Sequence, residues 1–423
     1  LSYREKYLAG SWRFDTYFGR DTLMSVRLLM PALQPQAVET GLRSVLERLS
    51  PDGQVAHEED IGEFAILDHR KTDGTLSDAP VYDYKMVDSD YLLAPVTQAW
   101  LLDDARGRAR AKTFLASQLG NAHAGEALMR NLRYVAAQTR AFAAEPIAAN
   151  LVSLKPGVPV GDWRDSNDGL GGGRYAYDVN AILIPAALDA ASALYHSGLL
   201  APYANAQDKA MLAGLAHAAA VWRDEAPALF TVTVDNTAAR QAIATYAKAM
   251  DVPATPALKA IGDQSVQFQA LSLNADGQPI RVQNSDGGYA LLFGKPSPTQ
   301  LDAEAQLLRR PFPAGLMTPV GMFVANPAFA TAAEKARFTP GAYHGTVVWS
   351  WQQALTAAGL ARQLDRTDLP TATRRNLQGA QACLWQAIDA TRDMSNSELW
   401  SWRYADGRYQ VAAFGASGKD ADE

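Results

Sequence analysis

The stretch DTLMSVRLLMPALQPQAVETGLRSVLERL, Asp21 to Leu49, decides how the rest of the chain is read. Leu23, Val26, Met30 and Leu33 recur at the 3.6-residue period of a helix, a short loop interrupts them, and Val38, Leu42, Val45, Leu46 and Leu49 resume the stripe. Each stripe buries one helical face. Two such helices joined by a short loop predict a helical hairpin. A polar, turn-rich segment ahead of the first stripe supplies the start signal.

The same plan recurs downstream. A helix is predicted from Asp88 or Asp90 through Leu92, Leu93, Val96 and Trp100, with a partner carrying Leu128, Leu132 and Val135. Asp178 opens another with Ile182, Leu183, Ala186 and Leu194, followed by an alanine-rich helix from Asp208 to Trp222. After Gly341 come Val348, Trp351, Leu355 and Ala358, and the last strong helix holds Leu377, Leu384 and Ile388. Between 229 and 298 the period changes to two: Phe230, Val232 and Val234 alternate, as do Val266 and Phe268, and Asn274-Ala275-Asp276-Gly277 reads as a turn. The expectation is a single helical domain over 1–423 with a strand-bearing insertion at 229–298.

Bulk composition excludes several classes. The chain has 423 residues, 48% of them hydrophobic and 20% charged, with a formal net charge of −6. Lys and Arg are scattered, so the basic footprint of a nucleic-acid binder is missing. No apolar run reaches the roughly 18 to 20 residues that span a bilayer. With Leu1 in place of an initiator methionine, the expectation is a soluble chain, processed or trimmed, with the compartment open between cytoplasm and periplasm or exterior. The single cysteine, Cys383, lies in a helical pattern and is expected to be a buried structural thiol.

Polar residues gather just ahead of the helices: Gly19-Arg20-Asp21, Val87-Asp88-Ser89-Asp90, Tyr177-Asp178 and Tyr343-His344-Gly345. An Asp or Ser there is also a good N-cap, worth about 1 kcal/mol. Capping does not ask for Arg20, Tyr84, Arg174, His344, Trp349 and Trp351 nearby. Flat aromatic faces beside fixed charged groups suit sugars, whose ring C–H groups stack while their hydroxyls need partners. The densest polar run is Gly161 to Ala181, with Asp162, Asp165 and Asp168 ahead of Gly169, Gly171, Gly172 and Gly173. Cleaving an acetal takes two carboxyl groups, one protonated and one ionised. Glu398, in Ser397-Glu398-Leu399-Trp400-Ser401-Trp402, is the candidate second acid. The Asp-rich run lacks EF-hand spacing, and His57-Glu58 lacks the second His of HExxH, since position 61 is Ile.

In this order the motifs resemble the six-hairpin (α/α)6-barrel glycoside hydrolases, in particular the amylo-α-1,6-glucosidase domain of glycogen-debranching enzymes, with GH63-like and trehalase-like relatives. Phe18-Gly19-Arg20-Asp21 is similar to the family's Gly-Arg-Asp, and Tyr84-Lys85-Met86-Val87-Asp88 to its Tyr-x-x-x-Asp. Trp163-Arg164-Asp165 takes the place of Trp-Met-Asp, and the run from Arg174 to Asn180-Ala181 follows the family's next motif, with Asp178 where Glu is usual. Tyr343 to Trp351 is similar to Tyr-His-x-Gly-Thr-Val-Trp-Pro-Trp, with Ser350 for the proline. Glu398-Leu399-Trp400 resembles Glu-Leu-Phe.

The resemblance implies a mainly α fold and an inverting, exo-acting hydrolase of α-linked glucosides. Asp165 would be the general acid and Glu398 the general base. Arg20, Asp21, Tyr84, Asp88, Trp163, Arg174, Asp178, His344, Trp349, Trp351 and Trp400 would bind an oligosaccharide or glycoside. Asp162 and Asp168 rival Asp165 as the acid. No metal and no cofactor are required, although a structural calcium in an acidic loop stays open, as do sugar identity and oligomeric state. Two other readings also stay open: a polysaccharide lyase using Tyr343 or His344, and a carbohydrate-binding protein without catalysis.

Overall fold

The computed structural model describes residues 5–10 and 14–415. Helices dominate, and the strands run to between two and seven residues. The chain divides into two compact units, one of Leu1–Trp163 with Leu183–Arg223 and one of Arg164–Ile182 with Asp224–Glu423.

In the first unit, α1 (Gly19–Leu29) and α2 (Pro35–Glu47) form the hairpin written in Asp21–Leu49. α1 buries Leu23, Met24 and Val26, and α2 buries Val38, Leu42, Val45 and Leu46. Pro35 sits at the first turn of α2, where its missing N–H is no loss. α3 (Glu63–Thr72) buries only Ala65. α4 (Asp88–Gln98) is buried from Asp88 through Thr97, as a helix packed on every side must be. It lies against α1 and against α7 (Ile184–His196). α5 (Ala105–Leu115) and α6 (Ala124–Ala144) pack outside it. α8 (Ala206–Phe230) meets α6 through Trp222, whose ring centroid is 4.2 Å from Phe142 and whose indole N–H donates to Thr139 O at 3.0 Å. A π-helical turn, Asp178–Leu183, precedes α7.

The second unit contains α9 (Asn236–Ala249), α10 (Thr255–Ile261), α11 (Gly287–Phe293), α12 (Pro298–Arg309), α13 (Ala332–Lys335), α14 (Ser350–Leu364) and α15 (Thr371–Ala390). α11 packs on α14, α12 on α15, and α14 on α15, around Leu291, Leu301, Leu308, Leu360, Leu377 and Leu384. Strands Thr231–Val234 and Val266–Gln269 pair antiparallel with Val232 opposite Phe268 and Val234 opposite Val266, which places the alternating residues on one buried face. The Asn274–Gly277 turn joins Ser272–Leu273 to Pro279–Ile280, with Gly277 at φ +74°. Two helices, α9 and α10, stand between the strands, which the period-two reading of 229–298 did not anticipate. Asp235 caps α9 by accepting from Ala238 N, and Ala239, Ile243, Tyr246 and Ala247 fill its inner face. Cys383 on α15 is half-buried, not enclosed as expected.

A buried charge cluster lies inside the second unit. Arg164 and Asp286 side chains are 0% and 1% exposed, and Arg164 donates to Asp286 Oδ1 at 2.9 Å, to Oδ2 at 3.3 Å and to Val324 O at 2.7 Å. Glu304 on α12 comes over the start of α11, where a Cβ on Gly287 would lie 2.2 Å from Glu304 Oε2. Its Oε1 is buried with no hydrogen-bond partner among the described residues. Burial first, and then the neighbouring Asp286 charge, raises the Glu304 carboxyl to about 8.

Two expectations follow from this packing. Gly107 on α5 meets Trp100, and a Cβ there would lie 1.9 Å from the Trp100 carbonyl oxygen. Gly to Ala in a helix ordinarily adds about 0.5–1 kcal/mol; Gly107→Ala is expected to lower the urea midpoint instead, and a raised midpoint would contradict the close approach. For Glu304, the raised value means that the folded chain holds a proton the unfolded chain releases at ordinary carboxyl pH. Stability from this group is therefore complete below about pH 4.3 and lost as pH rises through about 8. Glu304→Gln removes this slope, so the melting temperature of the unsubstituted protein should fall relative to Glu304→Gln between pH 5 and 9. Parallel profiles would contradict it.

Candidate active site

Each unit carries one group of the residues singled out in the sequence. In the first, Arg20 enters at the start of α1. Its Nη1 lies 3.4 Å from Asp88 Oδ2 and donates to Asp162 O at 3.2 Å, and its Nε lies 3.8 Å from Asp21 Oδ2. Asp88 is wholly buried at the start of α4, where its Oδ1 accepts from Ser89 N at 2.7 Å and Ser89 Oγ at 3.1 Å. Gly161 O accepts from Val87 N at 2.7 Å and Asp88 N at 3.2 Å, so the loop leading to Asp162 and the buried Trp163 is tied to the first turn of α4.

His57, whose HExxH match fails in the sequence, belongs here. Its carbonyl accepts from Gly19 N at 2.9 Å, and its ring lies edge-on to Phe18. Burial, reinforced by Arg20 and Lys85, holds its imidazole well below the usual value, so it is neutral. Asp21 keeps 37% of its side chain exposed and is the carboxylate of this group that solvent reaches. Tyr84 is half-buried, with its hydroxyl donating to Arg48 O at 3.1 Å.

The second unit holds the candidate carboxyl pair. Asp165 keeps 29% of its side chain exposed, and its Oδ1 lies 3.8 Å from His344 Nε2. The other His344 nitrogen, Nδ1, is 2.8 Å from Ser166 Oγ. The His344 ring lies parallel to Trp349 at 5.3 Å and 6°, and Tyr343 sets its edge against both at 4.8 Å. Trp349 Nε1 donates to Tyr343 O at 3.0 Å, closing the aromatic group on itself.

Glu398 reaches this group through the backbone. Val348–Trp349 pairs antiparallel with Leu399–Ala405, Trp349 facing Leu399, and Glu398 O accepts from Ser350 N at 2.9 Å and from Ser350 Oγ at 3.0 Å. The chain of contacts Asp165, His344, Trp349, Ser350, Glu398 therefore joins the two acids within one unit. Glu398 is exposed.

The rivals for the acid are placed differently. Asp162 is wholly buried in the first unit. Asp168 is exposed, with its Oδ1 3.5 Å from Arg337 Nε. Arg174 is half-buried and Asp178 wholly buried, with Arg174 N bonded to Leu273 O at 2.7 Å and Asp178 opening the π-helical turn. Trp351 is half-buried, edge-on to Tyr289 at 6.1 Å. Trp400 departs from expectation. Successive strand residues face opposite ways, so Trp400, opposite Val348, turns into the apolar core and donates its indole N–H to Val320 O at 2.8 Å, while Trp349 reaches His344.

Among the described residues no three His, Cys, Asp or Glu side chains gather as a metal ion would need, and no helix is long and apolar enough to cross a membrane.

No family model matches the chain, and no curated protein matches it by sequence. Solved structures do resemble it. The GH63 mannosylglycerate hydrolase of Thermus thermophilus bound to Tris superposes with a TM-score of 0.52 at 14% identity, over 95% of this chain and 91% of that one. The same enzyme with glucose gives 0.53 at 13%, over 97% and 93%. An uncharacterized conserved protein of Thermus thermophilus gives 0.52 at 14%, over 97% and 93%. At such low identity the likeness carries the fold alone: mainly helical, of the (α/α)6-barrel type.

Proposed function

We propose that the protein is a glycoside hydrolase, inverting and exo-acting, in which Asp165 is the general acid and Glu398 the general base. The observation that carries this reading is the contact chain from Asp165 through His344 and Trp349 to Glu398. It ties the Asp165 side chain and the Glu398 backbone to one unit, and both residues are open to solvent. An acid that must meet a glycosidic oxygen has to be reachable. Asp165 satisfies that, whereas Asp162 is sealed and Asp168 faces Arg337.

In this reading Asp165 gives its proton to the departing oxygen, and Glu398 takes a proton from the water that attacks the anomeric carbon from the opposite face. The reaction consumes water and calls for no cofactor. His344 and Trp349 are buried and back the loop that carries Asp165, and Arg174, half-buried in the same unit, is the further group that the motif resemblance assigns to a sugar hydroxyl. Asp178 and Trp400 are left out, because both side chains are enclosed. The substrate class proposed is the α-linked glucosides. One resembling structure holds glucose and is named a mannosylglycerate hydrolase, so a substrate screen should include mannosylglycerate beside α-glucosides.

Asp165→Asn and Glu398→Gln should each lower kcat on the natural glycoside by about 10²–10⁴-fold, with melting temperature unchanged. A glycosyl fluoride, whose leaving group needs no proton, separates the roles. Asp165→Asn should keep most of its turnover on the fluoride, and Glu398→Gln should not. Near-normal turnover of the natural glycoside by either variant would remove that residue from its role.

A further inference from the structure

Asp165 sits between two neighbours that are each fastened to a distant part of the second unit. On one side, the Arg164 guanidinium is buried and makes two bonds to Asp286 and one to Val324 O, residues 122 and 160 positions away. On the other, Ser166 Oγ lies 2.8 Å from His344 Nδ1. The loop beyond closes on itself, with Gly169 N donating to Ser166 O, Gly171 N to Asp168 O and Gly173 N to Leu170 O, and Ser272 Oγ donating to Leu170 O at 2.7 Å.

We infer that the buried Arg164–Asp286 pair is a positioning device for Asp165, fixing the backbone on one side of the carboxyl while Ser166 and His344 fix the other. The inference rests on the reading of Asp165 as the general acid. A carboxyl in a glycine-rich loop would otherwise sample many directions, and a misplacement of about 1 Å is enough to lower a rate by roughly 10²-fold. An arginine suits this pin better than a lysine. Its planar fork meets both Asp286 oxygens and still reaches a carbonyl, so the side chain has one orientation. Glu304 fits the same design: its raised carboxyl is mostly protonated at neutral pH and so sets little second negative charge beside Asp286.

The pin and simple packing predict different outcomes. Arg164→Met keeps the unbranched apolar stem of the side chain and removes its charge, leaving Asp286 buried without its cation; the double variant Arg164→Met/Asp286→Leu removes that defect as well. Three readouts are taken: melting temperature, kcat and KM on the glycoside, and hydrogen exchange of peptides covering residues 161–174. Arg164→Met should lower kcat by about 10–100-fold with KM within about twofold, and should speed exchange of the loop. The double variant should recover melting temperature but neither kcat nor slow loop exchange. Recovery of full kcat by the double variant, or unchanged loop exchange in Arg164→Met, would overturn the inference and leave the pair a packing feature. If the loop loosens while the unsubstituted protein cleaves no glycoside, the hydrolase reading fails and takes the positioning of a general acid with it, a result the exchange data distinguish from failure of the pin.

Discussion

A guanidinium taken out of water must be met by a buried anion and by enough acceptors for its N–H groups, or its desolvation outweighs what it contributes. Arg164 meets that requirement through Asp286 and the Val324 carbonyl, which fasten its loop to two distant parts of the second unit. Asp286 stands at the N-terminal end of α11, which packs on α14. Val324 N donates to Val347 O, and Phe323 forms a bridge with Val348, so the same anchor reaches the strand that carries Trp349. Glu304 stays mostly neutral at pH 7 because its burial and the Asp286 charge both disfavour a second anion there. The loop leaving Arg164 then has little freedom, and Asp165 is its first residue to reach solvent.

The opposite end of the site depends on strand alternation. Val348 and Trp400 share the core side of their pair, with Phe312, Phe323 and Trp402 beside them, while Trp349 takes the other side and stacks on His344. Enclosing Trp400 therefore turns Trp349 toward His344, and the strand that follows Glu398 is held by the same ladder. Trp400, a residue that reads in the sequence as a sugar platform, is in this way a core element that orients Trp349.

How much of this could be read from residues alone follows from the range of each interaction. Helical periods are local, so the hairpin at Asp21–Leu49, the partner helix around Leu128 to Val135 and the long helix through Leu377 were all legible. So were the pairing strands at Val232 and Val266, because alternation is local too. Helices α9 and α10 were passed over beside those strands, although Asp235 and the spacing of Ala239, Ile243 and Tyr246 carried the signal. Asp286 and Glu304 were not legible. Ser285-Asp286-Gly287-Gly288 looks like a turn and Glu304 like the wet face of a helix, and only the fold brings Arg164 to them across more than a hundred residues. His57 was visible as an oddity, but its place beside Arg20 needed the backbone bond from Gly19.

The central claim is that Asp165 and Glu398 act from opposite faces of a glycosidic bond with a water between them. Proton NMR of the sugar released at early times, before mutarotation, tests it most directly. An α-glycoside should yield the β-anomer first, as carboxyl groups about 6.5–9.5 Å apart require. First appearance of the α-anomer would mean a covalent intermediate on a closer pair of acids, and would contradict the assignment of Glu398 as a base for water.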